Sequence, residues 1–363
     1  MLSYPNAQIN LSALKHNFNC VKQHAPKSKI MSVVKADAYG HGMVQVAHAL
    51  AESDAYAVAR LSEGVELRQS GISLPIVILE GVASIDEFQL ASQYNLSIVF
   101  HHLSQLEVLR NVVLDTPLQF CWLMLETGMN RLGIHEQDLA QSIDSLISST
   151  NIDGPIRLMS HFANSDLVSD HRNKQQLAVF ERVQQQYNLE GSLANSAAIL
   201  SFSASHKEWV RPGIMLYGSS PFSATSAQKL DLKPVMKLVA KVVSIQHLKQ
   251  DEQVGYGGSW SAGTDSDIAI IGIGYGDGYN RALSNNALVS ILGTVFPVIG
   301  RVSMDMIAVD ISTSALSIDV GDEVTLWGSD DLAVDSIAKS INSIAYEVLC
   351  DINKRVVRTY HHG

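Results

Sequence analysis

The chain of 363 residues has only three cysteines, Cys20, Cys121 and Cys350, and no two of them form a C-x-x-C pair. A disulfide framework and a zinc knuckle are therefore not indicated. It has no block of basic residues, and its formal charge of -10 leaves nothing to neutralise a run of phosphates, which argues against nucleic acid or an anionic membrane surface as partner. No apolar run reaches membrane-spanning length, and the start shows no cationic stretch followed by an apolar core, so the expected address is the cytoplasm. Repeats, low-complexity tracts, Walker loops and dinucleotide fingerprints are also missing, which sets aside nucleoside triphosphates and nicotinamide cofactors. What remains is globular: 46% of residues are apolar and 17% charged, with length for a large domain and a smaller one.

Short β-branched runs alternate with amphipathic stretches across the first two thirds. The expected strands are Ile30 to Val34, Ala55 to Ala59, Pro75 to Leu79, Leu96 to Phe100, Leu118 to Leu125, Ile156 to His161, Ser192 to Asn195 and Val210 to Leu216. Helical periodicity lies between them, in "GMVQVAHALAE", "SIDEFQLASQYN", "LSQLEVLRNVV" and "NKQQLAVFERVQQQY". This alternation predicts an α/β fold, a (β/α)8 TIM-like barrel, although a doubly wound open sheet would give the same rhythm. From about Leu232 strands follow one another with Gly, Asp and Pro turns, which predicts a mainly β C-terminal domain. The expected division is 1-231 and 232-363.

Active sites of α/β barrels are built where the strands end. The residues at or just past the expected ends are Lys35 and Tyr39, Arg60, Glu80, His101, Thr127 to Arg131, His161, Asn195 and Ser196, and Arg211 to Ile214. They are rich in donors, bases and cations. Lys35 closes the apolar run of "SVVKADAYGH". Shielded there beside another cation, its amine would lose basicity and could form a Schiff base with an aldehyde; taken alone, it could equally be a snorkelling rim lysine. "ANSAAIL" and "RPGIMLYG" follow the last two strands, where small residues let backbone N–H groups approach an anion. With His161 and Arg211 these describe a pocket for a small anionic cofactor carrying an aldehyde. "GYGGSW" sets Tyr256 in a glycine-rich loop of the second domain, and "GIGYGDGY", with no helix after it, reads as a turn.

In order and spacing, "VVKADAYGHG", "ETGMNRLG", "HFANSD", "NSAA", "RPGIMLYG", "VGYGGSW", "GYGDGY", "GRVSMDM" and "YEVLC" resemble the alanine racemases, fold-type III pyridoxal-phosphate enzymes with an α/β barrel and a β domain. The resemblance implies an isomerase that interconverts L- and D-alanine with pyridoxal 5'-phosphate, supplying D-alanine for peptidoglycan. It implies a homodimer with shared active sites and no metal. Lys35 would be the Schiff-base lysine and the base for the D-enantiomer, and Tyr256 from the other subunit the base for the L-enantiomer. His161 and Arg211 would lend Tyr256 a cationic surround, and Arg211 would face the cofactor's ring nitrogen. Tyr39, Asn195, Ser196, the Gly213 and Ile214 backbone and Tyr346 would hold the cofactor. Arg131 and the Met304 backbone would bind the substrate carboxylate. Tyr275 and Tyr346 would form a narrow gate, and Asp166, Arg281 and Arg301 would lie along the access channel. The chain departs from the family pattern at Met124, where many members carry a carbon-dioxide-modified lysine that steadies the arginine, and at Glu126, where an aspartate is usual. Arg131 would then need another anchor, a chloride or a polar neighbour. The alternatives are a racemase of broader specificity that admits serine, a fold-related decarboxylase with a cysteine-based acid where Tyr256 stands, a zinc-assisted lyase whose C-terminal His and Cys pair "RTYHHG" does not provide, and a non-catalytic pyridoxal-phosphate carrier, a single barrel against which the β domain and its tyrosine argue.

Overall fold

The computed structural model describes residues 4–329 and 331–362. Strand β1 (Asn6–Asn10) leads into a helix, Leu11–His24, capped by the Asn10 side chain, which accepts from the Ala13 N–H at 3.0 Å. Eight strands among the described residues then close into a parallel barrel: β2 (Lys29–Val33), β3 (Ala55–Val58), β4 (Ile76–Ile78), β5 (Ser97–Phe100), β6 (Cys121–Met124), β7 (Ile156–Met159), β8 (Gly191–Ser192) and β9 (Trp209–Val210). Closure is direct, since β9 pairs with β2 through Lys29 opposite Trp209 and Ile30 opposite Val210. The barrel strands are buried almost throughout, as an apolar run covered on both faces requires. The closed barrel meets the expectation from the sequence and removes the open-sheet alternative.

The second layer is a mainly β sheet built from β10 (Met236–Leu248), β11 (Ser266–Ile271), β12 (Leu288–Ile291), β13 (Thr294–Ile299), β14 (Ile307–Asp310), β15 (Glu323–Trp327) and β16 (Val357–His361). β1 belongs to this sheet: it pairs antiparallel to β10 and parallel to β16. Residues 6–10 thus pair with residues 357–361, and the helix Leu11–His24 runs from that sheet onto the barrel.

Three local features differ from the sequence reading. The strand expected over Ser192 to Asn195 is confined to Gly191–Ser192. The strand expected over Val210 to Leu216 stops at Val210, because Pro212 has no N–H to donate to a ladder, and the chain turns instead into one 3₁₀ turn, Ile214–Tyr217. Beyond β2, Ala36, Asp37, Ala38 and Tyr39 all adopt positive φ of 53 to 54°, forming a left-handed turn rather than an ordinary helix start. No helix among the described residues is long and apolar enough to cross a membrane.

Candidate active site

The mouth of the barrel at the strand C-termini opens into a cavity of about 530 Å³. Lys35, Tyr39, Arg131, His161, Asn195, Ser196, Arg211, Gly213, Ile214 and Tyr346 all line it, together with Met124, Glu126, Glu80 and Cys350. Most residues picked out at strand ends therefore converge on one place, whereas Arg60, His101 and Thr127 are not part of its lining.

The left-handed turn sets the geometry of Lys35 and Tyr39. Side chains rarely tolerate this backbone, at about 1 to 2 kcal/mol per residue, so four in a row need strong support. Glu63 accepts from the N–H of Ala36 at 2.7 Å, Ala59 at 2.8 Å and Arg60 at 3.0 Å. Asp37 accepts from the Met43 N–H at 2.8 Å, and Arg358, from β16, donates to the Gly40 carbonyl at 2.9 Å and pairs with Asp37 at 3.5 Å. Gly40 ends the turn at φ +78°, with Leu349 so close that no side chain could be placed there. Tyr39 comes to rest against Tyr217, ring centroids 4.7 Å apart, and Tyr217 is itself fixed by donating to the Val33 carbonyl at 2.8 Å.

Across the cavity, Arg211 is held by Ser192 Oγ at 2.7 Å and the Ser160 carbonyl at 2.5 Å, and its Nη2 lies 3.2 Å from His161 Nδ1. Guanidinium only donates, so His161 Nδ1 must accept and the imidazole proton sits on Nε2. Burial, reinforced by Arg211, Arg131 and Lys35, pushes His161 down to about 3. His161 is therefore neutral, and the expected cationic contribution from it falls to the arginines. Burial and the Arg131 charge pull Arg211 down to about 9, which leaves it charged at neutral pH. Lys35 is lowered by burial first and by Arg131 second, with Glu63 and Glu80 opposing.

The third wall is a cradle. Ser196 opens a short helix, Ser196–Ser201, capped by Asn195, whose Oδ1 accepts from the Ala198 N–H at 3.1 Å and the Ser165 hydroxyl at 2.8 Å. Ser196 Oγ accepts from the Gly213 N–H at 2.9 Å. A Cβ on Gly213 would stand 2.6 Å from the Tyr39 hydroxyl, so the bare glycine is what keeps this space open. Burial raises the pKa of Tyr39, and burial followed by the Asp166 and Asp335 charges raises Tyr346 to about 12. Both phenols stay protonated, as donors to an anion must.

Arg131 closes the loop 127–131, which Glu126 caps by accepting from the N–H groups of Gly128 and, at 2.9 Å, Asn130. Glu126 is thus spent on the backbone, and among the described residues Arg131 has no carboxylate partner; Met124 lines the same cavity. Gln176, unnoticed in the sequence, donates to Thr127 Oγ1 at 3.1 Å and the His161 carbonyl at 2.9 Å, tying the two loops together.

Tyr256, Tyr275 and Met304 do not line this cavity. They sit on the β domain, 72%, 44% and 52% exposed. The Tyr256 loop abuts Arg301 through Gly257, and the Tyr275 N–H donates to the Ser303 carbonyl at 3.0 Å, so these residues share one surface region.

A polar cavity at the C-terminal mouth of an α/β barrel is where barrel enzymes act on small molecules. Residues 9–221 match the alanine racemase N-terminal domain and residues 235–360 the alanine racemase C-terminal domain. The alanine racemase of Aeromonas hydrophila is 42% identical over 354 residues, covering 98% of each chain, and that of Nitrosococcus oceani is 41% identical over 358 residues, covering 99% of each. Among solved structures, the biosynthetic alanine racemase from Pseudomonas aeruginosa superposes with a TM-score of 0.91 at 40% identity, covering 98% of this chain and 99% of that one. The alanine racemase from Acinetobacter baumannii gives 0.89 at 40% identity with the same coverage. The chain belongs to the alanine racemase family, a family of isomerases.

Proposed function

We propose that the chain interconverts L- and D-alanine with pyridoxal 5'-phosphate, as a cytoplasmic homodimer in which each site joins Lys35 of one subunit to Tyr256 of the other, supplying D-alanine for peptidoglycan. The observation that carries this is the convergence of a deprotonatable lysine, a fixed arginine and an open anion cradle in one cavity. The residues fit the cofactor: Tyr39, Ser196, Gly213, Ile214 and Tyr346 would hold its phosphate, Lys35 its aldehyde carbon, and Arg211 its ring nitrogen, with Asn195 bracing the cradle. When bound, the cofactor supplies an electron sink for the charge left on the substrate α-carbon.

Lys35 Nζ, neutral over a wider pH range than an exposed lysine, takes the α-proton of the D-enantiomer. Arg211, which cannot give up a proton near neutral pH, leaves the ring nitrogen without a full charge, which favours return of the proton over side reactions. His161 keeps its proton on Nε2 and fixes the Arg211 plane. Arg131 offers a donor fork for the substrate carboxylate, together with the Met304 backbone. Tyr256 Oη moves the proton on the opposite face. Its exposure beside Tyr275, Met304 and Met306 supports its pairing with a second copy, because large apolar groups clustered on a surface mark contact regions. Tyr275 and Tyr346 would narrow the opening to a methyl-sized side chain.

Single-turnover deuterium exchange tests the division of labour. Tyr256→Phe should slow α-proton exchange from L-alanine at least about a hundredfold, the usual scale of a lost general base, while sparing exchange from D-alanine. Equal slowing of both enantiomers would reject it.

A further inference from the structure

Away from the barrel mouth, His16, Cys20 and Asp231 bring three different ligand atoms to one point. His16 and Cys20 are one turn apart on the same face of the helix Leu11–His24, and Asp231 comes from the segment that carries the chain out of the barrel toward β10. The three atoms form a small triangle. His16 Nε2 lies 3.3 Å from Asp231 Oδ2 and 3.7 Å from Cys20 Sγ, and Cys20 Sγ lies 3.9 Å from Asp231 Oδ2. Zinc bonds of about 2.3 Å to sulfur and about 2.0 to 2.1 Å to nitrogen and oxygen, at tetrahedral angles, set ligand atoms about 3.3 to 3.6 Å apart. The observed triangle meets those edges within a few tenths of an ångström.

The geometry points to a binding site for a borderline-soft divalent cation, zinc or cobalt, held by His16 Nε2, the Cys20 thiolate and the Asp231 carboxylate. The charges balance: a dication, two anions and a neutral imidazole leave no net charge. Cys20 is 3% exposed, which shelters the sulfur, whereas the Asp231 side chain is 73% exposed and leaves a fourth position for water. The frame is built before any ion arrives. Asn17, the residue after His16, is buried and donates to the carbonyls of Leu216 at 3.0 Å and Lys233 at 2.8 Å, while its Oδ1 accepts from the Lys233 N–H at 2.8 Å. Helix and linker are thereby locked on either side of the three ligands. In the metal-free protein the Asp231 carbonyl accepts from His16 Nε2 at 2.8 Å and from the Cys20 thiol at 3.4 Å. Metal binding sends the thiol proton to solvent, breaks the His16 hydrogen bond to the Asp231 carbonyl and moves the imidazole proton from Nε2 to Nδ1. The ion would clamp the first barrel helix to the linker that leads into the second domain.

The test uses the full-length, cofactor-loaded protein, freed of metal by chelator and then given Co2+ or Zn2+. One ion per chain should survive gel filtration, and Co2+ should show thiolate charge transfer with tetrahedral visible bands. Cys20→Ser and His16→Gln should lose both ion and bands, whereas Cys350→Ser keeps them. Asp231→Asn changes an exposed side chain, so it tests the site even if Cys20→Ser fails to fold; it should weaken retention. No retained ion, bands without thiolate character, or an unchanged spectrum in Cys20→Ser or Asp231→Asn would each overturn the site.

Discussion

Replacing Gly213 with alanine tests the anion cradle most sharply within one chain. The new Cβ would lie 2.6 Å from the Tyr39 hydroxyl, well inside the 3.4 Å of ordinary contact. Tyr39 has little room to retreat, because its ring is stacked on Tyr217 at 4.7 Å and flanked by Tyr346 at 5.8 Å. The backbone adds to the strain, since Gly213 has φ of -124° and ψ of -98°, outside the α and β regions open to a residue with a Cβ. Either Tyr39 or the 211–214 loop must shift, and the proposed charge-assisted hydrogen bond from Tyr39 to the cofactor phosphate is lost. Such a bond is worth about 1.5 to 3 kcal/mol, so pyridoxal 5'-phosphate should bind roughly 10- to 100-fold more weakly. Titrating cofactor-free protein while following the absorbance of the Lys35-bound form measures this. Tyr39→Phe removes the same hydroxyl without intrusion and should weaken binding similarly. In the double variant the clash disappears with the hydroxyl, so the effects should not add. Wild-type affinity in Gly213→Ala, or full additivity, would refute the cradle.

Two further outcomes follow from the support of the site. Arg358, with 13% of its side chain exposed, donates to the carbonyls of Gly40, Asn353, Val356 and Ile352; Arg358→Met should lower stability by about 3 to 4 kcal/mol in urea unfolding and reduce kcat with it, as about 1 kcal/mol per lost bond implies. A change below about 1 kcal/mol would contradict its role under the left-handed turn. His161, held neutral down to about 3, binds no proton in the folded cofactor-free protein between there and the ordinary value near 6.5, whereas the unfolded chain does. Stability must then fall with falling pH across that window, by up to about 1.4 kcal/mol per unit, and be unaffected above it. His161→Gln should flatten this limb between pH 7 and 4.5, and an unchanged slope would show that the imidazole charges freely.

The barrel was legible because each apolar run is short, β-branched and bounded by turn residues, and parallel strands buried on both faces demand that pattern. The cavity residues were legible for the same reason, since Lys35, His161 and Arg211 terminate such runs. Other features depend on distant partners. Nothing in Ala36, Asp37 or Ala38 favours a left-handed backbone; Arg358, hundreds of positions later, and Glu63 impose it. β1 escaped notice because "NAQIN" is short and polar and gains its strand identity only between β10 and β16. His16, Cys20 and Asp231 give no motif, as Asp231 lies 211 residues from Cys20. Met124 and Glu126 were visible as departures, yet only the structure showed that Glu126 caps the loop and offers Arg131 nothing.

The central claim is racemisation by this site. Circular dichroism of L-alanine and of D-alanine, each incubated with purified, cofactor-loaded protein, measures it directly. Both solutions should lose optical activity and converge on the racemate, and Lys35→Ala should leave both unchanged. If neither enantiomer loses its signal with the unaltered protein while another amino acid does, the assignment to alanine is wrong.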